Sequence, residues 1–316
     1  MPRLPNTSLD VHPLCLGGDV FGWTADDEQS FAVLDRYAEA GGNFIDTADM
    51  YSYWVPGNSG GESETILGRW MAERGNRGEM VIATKVGKLE GLRGLAADTI
   101  ARAAEDSLQR LQTDHIDLYY SHEDDPDTEI EETLGAFDRL VRDGKVRHVG
   151  ASNCAPDRLR EALAVCNREG LARYVAVEPE YSLMEPDYEG EAREVCRDAG
   201  LGCVPYSALA SGFLTGKYRP GEPVPHSPRG GMGAAYLDDS RGATVLEAVE
   251  EIASEHDTTM SAVALAWLAA QDTVVAPISS ARTVEQLEAL LPMADVELSE
   301  HELDRLRAAG EIESRA

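Results

Sequence analysis

HIDLYYSHEDDPDTEIEETLGAFDRLVRDGKVRHVGASN, residues 115–153, is the stretch on which the fold turns. His115–Ser121 is a short apolar and aromatic run and predicts a strand. Ile130–Arg142 has helical apolar spacing, and Asp143-Gly144 stops it before a second β-rich run, Val146–Ala151. A strand, a helix and a strand in so short a stretch imply parallel strands joined by a right-handed crossover.

The same unit recurs in both directions. Upstream, helix Asp27–Ala40 ends at Gly41-Gly42 before strand Asn43–Asp46, and helix Glu62–Arg74 precedes strand Met80–Lys85. Helix Ala97–Leu111 leads back to His115. Downstream, helix Pro156–Arg168 leads to strand Tyr174–Glu178, and helix Tyr188–Ala199 to strand Gly202–Tyr206. A long segment then precedes strand Thr273–Ile278. With Pro13–Leu16 the strands number eight. Eight βα units at this length predict an α/β chain closed as one (β/α)8 TIM barrel over residues 1–316, without a second domain. Residues 1–12 are expected to form a hairpin closing the barrel bottom, and Ser299–Ala309 an appended helix. Residues 219–242, rich in Pro and Gly, are expected to be a long functional loop on the cofactor side.

Composition narrows the function. The 316 residues carry 28 Lys+Arg against 57 Asp+Glu, a formal net charge of −29, which opposes a general nucleic-acid or anionic-membrane binder. Only four of the basic residues are Lys, a bias compatible with nucleotide composition or with salt adaptation. The cysteines (15, 154, 166, 196, 203) are odd in number and form no C-x-x-C pair, and the seven histidines are scattered. Neither a disulfide framework nor a metal site is expected. No signal-peptide core or membrane-length apolar run is present. A soluble cytoplasmic protein is the expectation, its oligomeric state open.

The active site of such a barrel lies at the C-terminal strand ends. In order, these ends carry Asp46, Lys85, His122, Ser152-Asn153, Glu178 and Tyr206, with Tyr51 just past Asp46. One ionisable residue at a strand end commonly caps or pairs; consecutive units each ending in one mark a site. A phenol near pKa ~10 is a reluctant acid at neutral pH, so Lys85 beside Tyr51 is expected to lower it, with Asp46 holding Lys85. Tyr51 as a lid aromatic and Lys85–Asp46 as a plain buried ion pair are the alternatives.

The segments GGNFIDTADMYS, GESETILGRW, VIATKVG, DHIDLYYSHEDDPD, GKVRHVGASN, VPYSALASGFLTGKY and PISSARTVEQLEAL stand in order along nearly the whole chain. Together they make the chain resemble an aldo-keto reductase of the short-loop, largely prokaryotic kind. The resemblance implies a catalytic set of Asp46, Tyr51, Lys85 and His122, all intact. No G-x-G-x-x-G follows a strand, since GGDVFG at 17–22 has the wrong spacing. The resemblance instead implies a nicotinamide cofactor across the barrel mouth. Ser152 and Asn153 would hold its carboxamide, Tyr206 would stack on its ring, and Ser207, Leu209, Ser211 and Lys217 would follow the pyrophosphate. Ser280, Arg282 and Gln286 would hold the adenosine end, Arg282 favouring NADPH over NADH.

Two positions depart from the family pattern. Glu178 stands where a Gln usually binds the carboxamide; a carboxylate accepts from the amide but cannot donate to its carbonyl. A barrel-end residue paired with a nearby Arg is the alternative, and the sequence leaves both open. The usual Glu-Asn pair at the adenine appears as Ala289-Leu290. The substrate pocket is expected from Asp19–Trp23, Ser52–Ser59 and residues 123–127, with Trp23, Tyr53 and Trp54 as apolar walls. The acidic run at 123–125 would disfavour anions unless it is only a turn. The implied activity is NADPH-dependent reduction of an aldehyde, ketone or ketosugar; the alternative is an NADPH-binding regulatory or redox-sensing subunit.

Overall fold

The computed structural model describes residues 1–225 and 227–311; His226, within the expected loop 219–242, lies outside them. The strands are β1 (Cys15–Gly17), β2 (Phe44–Asp46), β3 (Val81–Val86), β4 (Ile116–Ser121), β5 (Val146–Ser152), β6 (Tyr174–Glu178), β7 (Gly202–Cys203) and β8 (Ile278–Ser279). All pair in parallel, in the order β7-β6-β5-β4-β3-β2-β1-β8. Backbone bonds close the ring: Cys203 N–H donates to Thr273 O (2.7 Å), Val275 N–H to Cys203 O (2.8 Å) and Ile278 N–H to Pro205 O (2.8 Å). The eight-stranded barrel stands as the crossover rule implied.

Six helices follow the first six units: α1 (Asp27–Glu39), α2 (Glu62–Arg74), α3 (Ala97–Leu111), α4 (Ile130–Arg142), α5 (Pro156–Glu169) and α6 (Glu191–Ala199). Then come α7 (Gly230–Ala235), α8 (Gly242–Glu255), α9 (Met260–Ala269), α10 (Val284–Leu290) and α11 (Glu300–Gly310). Three features differ from the sequence reading. β7 is shorter than expected, stopping before Pro205, and β8 is displaced from the expected Thr273–Ile278 to begin only past Pro277, since neither proline has the N–H that a ladder needs. The span 219–242 is not loop throughout, since it carries α7 and the single turn Tyr236–Asp238. Helices α8 and α9 fill the segment before Thr273; α9 is buried from Ser261 to Leu268, so its sequence shows no polar face to betray a helical period. Among the described residues no helix is long and apolar enough to cross a membrane.

The period of two along each strand positions the site. Phe44, Ala83, Tyr120, Ala176 and Val204 point into the barrel and pack with Leu4, Leu9 and Val11 of the N-terminal hairpin, which plugs the bottom. Two residues further along the same strands stand Asp46, Lys85, His122, Glu178 and Tyr206. They form the next inward layer, at the C-terminal mouth. Residues of the opposite phase on these strands, Ile45, Ile82, Tyr119 and Val177, face outward into the helix-packed core.

Candidate active site

Lys85 is fully buried. Its Nζ lies 2.6 Å from each oxygen of Asp46, and it donates to Thr47 O and to the Tyr51 hydroxyl, both at 3.0 Å. That hydroxyl in turn donates to Asp46 Oδ2 at 3.2 Å. Glu178, 3% exposed, brings Oε1 to 3.3 Å from the same ammonium. The arginine partner weighed for Glu178 is therefore wrong; its cation is Lys85. The His122 ring packs edge-on to Tyr51 with centroids 6.1 Å apart.

Electrostatics here is dominated by dryness. Burial opposes the Lys85 charge, but Asp46 and then Glu178 outweigh it and hold the ammonium well above its ordinary range. The expected lowering of Tyr51 is corrected. Lys85 does favour the phenolate, yet burial first, and the Asp46 carboxylate second, push the phenol up. A phenol kept protonated suits a proton donor. Burial, reinforced by Lys85, holds His122 well below its usual range, so it is a neutral imidazole at neutral pH, its Nδ1 without a partner.

Next to this cluster, Ser152 Oγ donates to Glu178 O (2.9 Å), and Asn153 Nδ2 donates to His122 O (2.9 Å). Asn153 adopts φ 51° and its Oδ1 accepts from the Tyr206 hydroxyl at 2.7 Å. Beyond β7 the backbone curls through the left-handed region at Ser207, Ala210, Ser211 and Gly212. Lys217 folds over Gly212, where a Cβ would stand 2.6 Å from Nζ. Burial first, and then Arg282, pull Lys217 below its usual range, with no carboxylate opposing them among the described residues. In a chain of charge −29, a curled backbone under two adjacent cations fits the phosphates of a nicotinamide dinucleotide. Gln286 Oε1 accepts from Arg282 N–H (3.0 Å), so its oxygen serves the start of α10. Ala289 accepts from Thr259 Oγ1 and Leu290 is buried, so this pair packs α10 against α9.

The mouth is aromatic. Trp23 and Trp54 meet edge to face at 5.4 Å, Trp54 also approaches Tyr51, and Tyr53 and Trp54 are each 40% exposed. Ser52 Oγ bonds Phe21 O and Asn58 Nδ2 bonds Gly22 O, tying the two loops together. Asp19 accepts from Arg229 and from Ser280, so the segment after β7 is clasped to the loops after β1 and β8. The acidic run is not a free anionic rim: Glu123 faces Lys88, Asp124 pairs with Arg158, and Asp125 caps backbone N–H groups. Among the described residues no group of three or more His, Cys, Asp or Glu is placed to hold a metal ion, and the five cysteines are free.

One cluster escaped the sequence reading although its residues lie in two of the quoted motifs. Asp49, two residues before Tyr51, is fully buried with both carboxyl oxygens unpartnered among the described residues, near Glu64, which bonds Arg110 and Thr84. Burial, then the Glu64 charge, push Asp49 up to about 8. The folded protein then holds a proton that the unfolded chain releases near pH ~4, so this contribution to stability is full below that pH and is lost as pH rises through about 8. Asp49→Asn should accordingly gain stability over wild type by ~2–4 kcal/mol as pH rises from ~5 to ~9, read by denaturant titration. A pH-independent difference would mean that Asp49 is charged throughout.

A model of the aldo/keto reductase family matches residues 13–311, and the chain belongs to this family. It is an oxidoreductase acting on small-molecule carbonyl compounds, of a family that uses NAD(P)H. An uncharacterised oxidoreductase of Bacillus subtilis is 36% identical over 312 residues, covering 96% of this chain and 93% of that protein. A norsolorinic acid reductase of Emericella nidulans is 35% identical, covering 95% and 78%. An aryl-alcohol dehydrogenase of Pestalotiopsis microspora is 29% identical, covering 96% and 79%.

Proposed function

We propose that the protein is a cytoplasmic NADPH-dependent reductase of an aldehyde, ketone or ketosugar carbonyl, with Tyr51 as proton donor. The observation that carries this reading is the Tyr51 hydroxyl held between Lys85 and Asp46 beside a neutral His122. The bound cofactor supplies the hydride. As charge builds on the carbonyl oxygen, Tyr51 gives it a proton and Lys85 stabilises the phenolate left behind. Asp46 keeps Lys85 in place, and His122 donates to the same oxygen and orients it. Ser152 and Asn153 would hold the carboxamide and Tyr206 would cover the ring. Ser207, Leu209, Ser211 and Lys217 would follow the pyrophosphate, and Ser280, Arg282 and Gln286 would receive the adenosine end. Trp23, Tyr53 and Trp54, together with the relative named for aryl alcohols, favour a flat aromatic carbonyl. The test is NADPH consumption against matched panels of aromatic and aliphatic aldehydes; no consumption with any of them would reject the reading.

Cofactor choice rests on Arg282. A charge-assisted contact to the 2′-phosphate contributes ~1.5–3 kcal/mol. Arg282→Ala is therefore expected to weaken NADPH about 10–100-fold and leave NADH nearly unchanged, as measured by fluorescence titration. Equal losses for both would assign Arg282 to the structure of α10.

A further inference from the structure

Lys85 has three N–H donors, and Asp46, Thr47 O and the Tyr51 hydroxyl already occupy them. Glu178 is a fourth claimant at 3.3 Å, and its other oxygen, Oε2, is buried without a partner among the described residues. Two carboxylates on one ammonium in a dry layer would leave a net negative charge with no solvent to spread it. Asp46 has both oxygens at 2.6 Å from Nζ and a further hydrogen bond from Tyr51, so it is the ionised one. A proton on Glu178 removes the excess charge.

We propose that Glu178 is a positioning residue for the proton transfer: as an uncharged acid it leaves the Lys85 donors to Asp46 and Tyr51, and when ionised it draws Lys85 off Tyr51 and sets the alkaline limit of reduction. The inference rests on Tyr51 being the proton donor. Of the three acceptors on Lys85, the Tyr51 hydroxyl is a single neutral oxygen whose other contact is 3.2 Å long, so it is the one that yields. The charged groups facing Glu178 are Asp46 on β2, Lys85 on β3 and, just past β3, Lys88, which lies 3.5 Å from Glu123. Tyr51 faces it too, as do Tyr120 on β4, the thiols Cys15 on β1 and Cys203 on β7, and Tyr206; burial pushes each of these up and keeps it neutral. Burial, and then Asp46, push Glu178 itself well above the usual carboxyl range. Activity is thus present while Glu178 is protonated and declines as pH rises through its ionisation.

The experiment is kcat against pH, from neutral to alkaline, at saturating NADPH and an aromatic aldehyde, for wild type, Glu178→Gln and Tyr51→Phe. An amide of the same shape cannot ionise, so Glu178→Gln should still turn over, with its alkaline limb moved up by about one pH unit or more, tenfold in rate at a pH on the limb. An unmoved limb, or loss of turnover at every pH in a folded variant, would overturn the proposal. Tyr51→Phe separates the two ideas: inactivity there with an unmoved Glu178→Gln limb rejects the role of Glu178 alone, whereas wild-type turnover there rejects the proton donor. A second measurement needs no Glu178 variant. In Asp49→Asn, which lacks the other buried protonated acid, the infrared carbonyl stretch of a neutral carboxyl should persist at neutral pH and vanish across the alkaline limb. Its absence at neutral pH would show Glu178 ionised and overturn the proposal.

Discussion

Tyr51→Phe is expected to lower kcat for carbonyl reduction by about 10²–10⁴-fold while leaving NADPH affinity within about twofold. The hydroxyl is the one proton-bearing group that both Lys85 and Asp46 grip, at 3.0 and 3.2 Å. Its burial keeps it protonated until a carbonyl oxygen beginning to carry charge takes the proton. That interaction exists only in the transition state, so its loss falls on kcat rather than on binding. The ring remains in Phe and keeps its packing against Trp54 and His122, which separates chemistry from structure. Single-turnover NADPH oxidation is the measurement, and turnover near wild type would reject Tyr51 as the acid.

Lys85→Met should lose catalysis to a similar degree and, unlike Tyr51→Phe, should also destabilise the fold by ~3–5 kcal/mol near neutral pH. Among the described residues Lys85 is the one cation touching both Asp46 and Glu178, and all three side chains are at most 3% exposed. Without it, Asp46 is left beside the already protonated Glu178 in a dry layer with no counter-charge, and it too must take up a proton. Stability of the variant should therefore improve as pH falls and Asp46 protonates, the reverse of ordinary acid unfolding. The double change Asp46→Asn with Lys85→Met should recover part of the loss, because the two groups act as one unit. Denaturant midpoints at two pH values give the answer, and a variant as stable as wild type at neutral pH would mean that the pair is hydrated rather than buried.

Much of this was legible along the chain because the signals are local. The bounds of α2, α3 and α4 coincide with the amphipathic runs, and β6 spans Tyr174–Glu178 as its apolar run implied. Helix α9 was missed for the opposite reason: a helix covered on every side has no polar stripe. The shortening of β7 and the displacement of β8 follow from Pro205 and Pro277, residues visible in the sequence but overridden there by the apolar runs around them. The acidic run at 123–125 looked like a charged rim; its carboxylates turned out to face Lys88, Arg158 and backbone N–H groups contributed by other loops and by α5.

By itself the sequence determined the alternation of strand and helix, and with it the parallel barrel, because hydrophobic period and stop signals act within a few residues. It also determined that Asp46, Lys85 and His122 end consecutive strands in phase with inward-facing residues, since that phase is set by counting in twos. What only the tertiary structure decided is who meets whom across the barrel. That Glu178 on β6 reaches the Lys85 ammonium on β3, and that Arg229 reaches Asp19, depend on how far the ring is staggered when it closes. Whether Tyr51 is lowered by its lysine or raised by its surroundings was decided there too. The pull of Lys85 follows from its nearness alone, but the opposing cost comes from water that the completed barrel excludes.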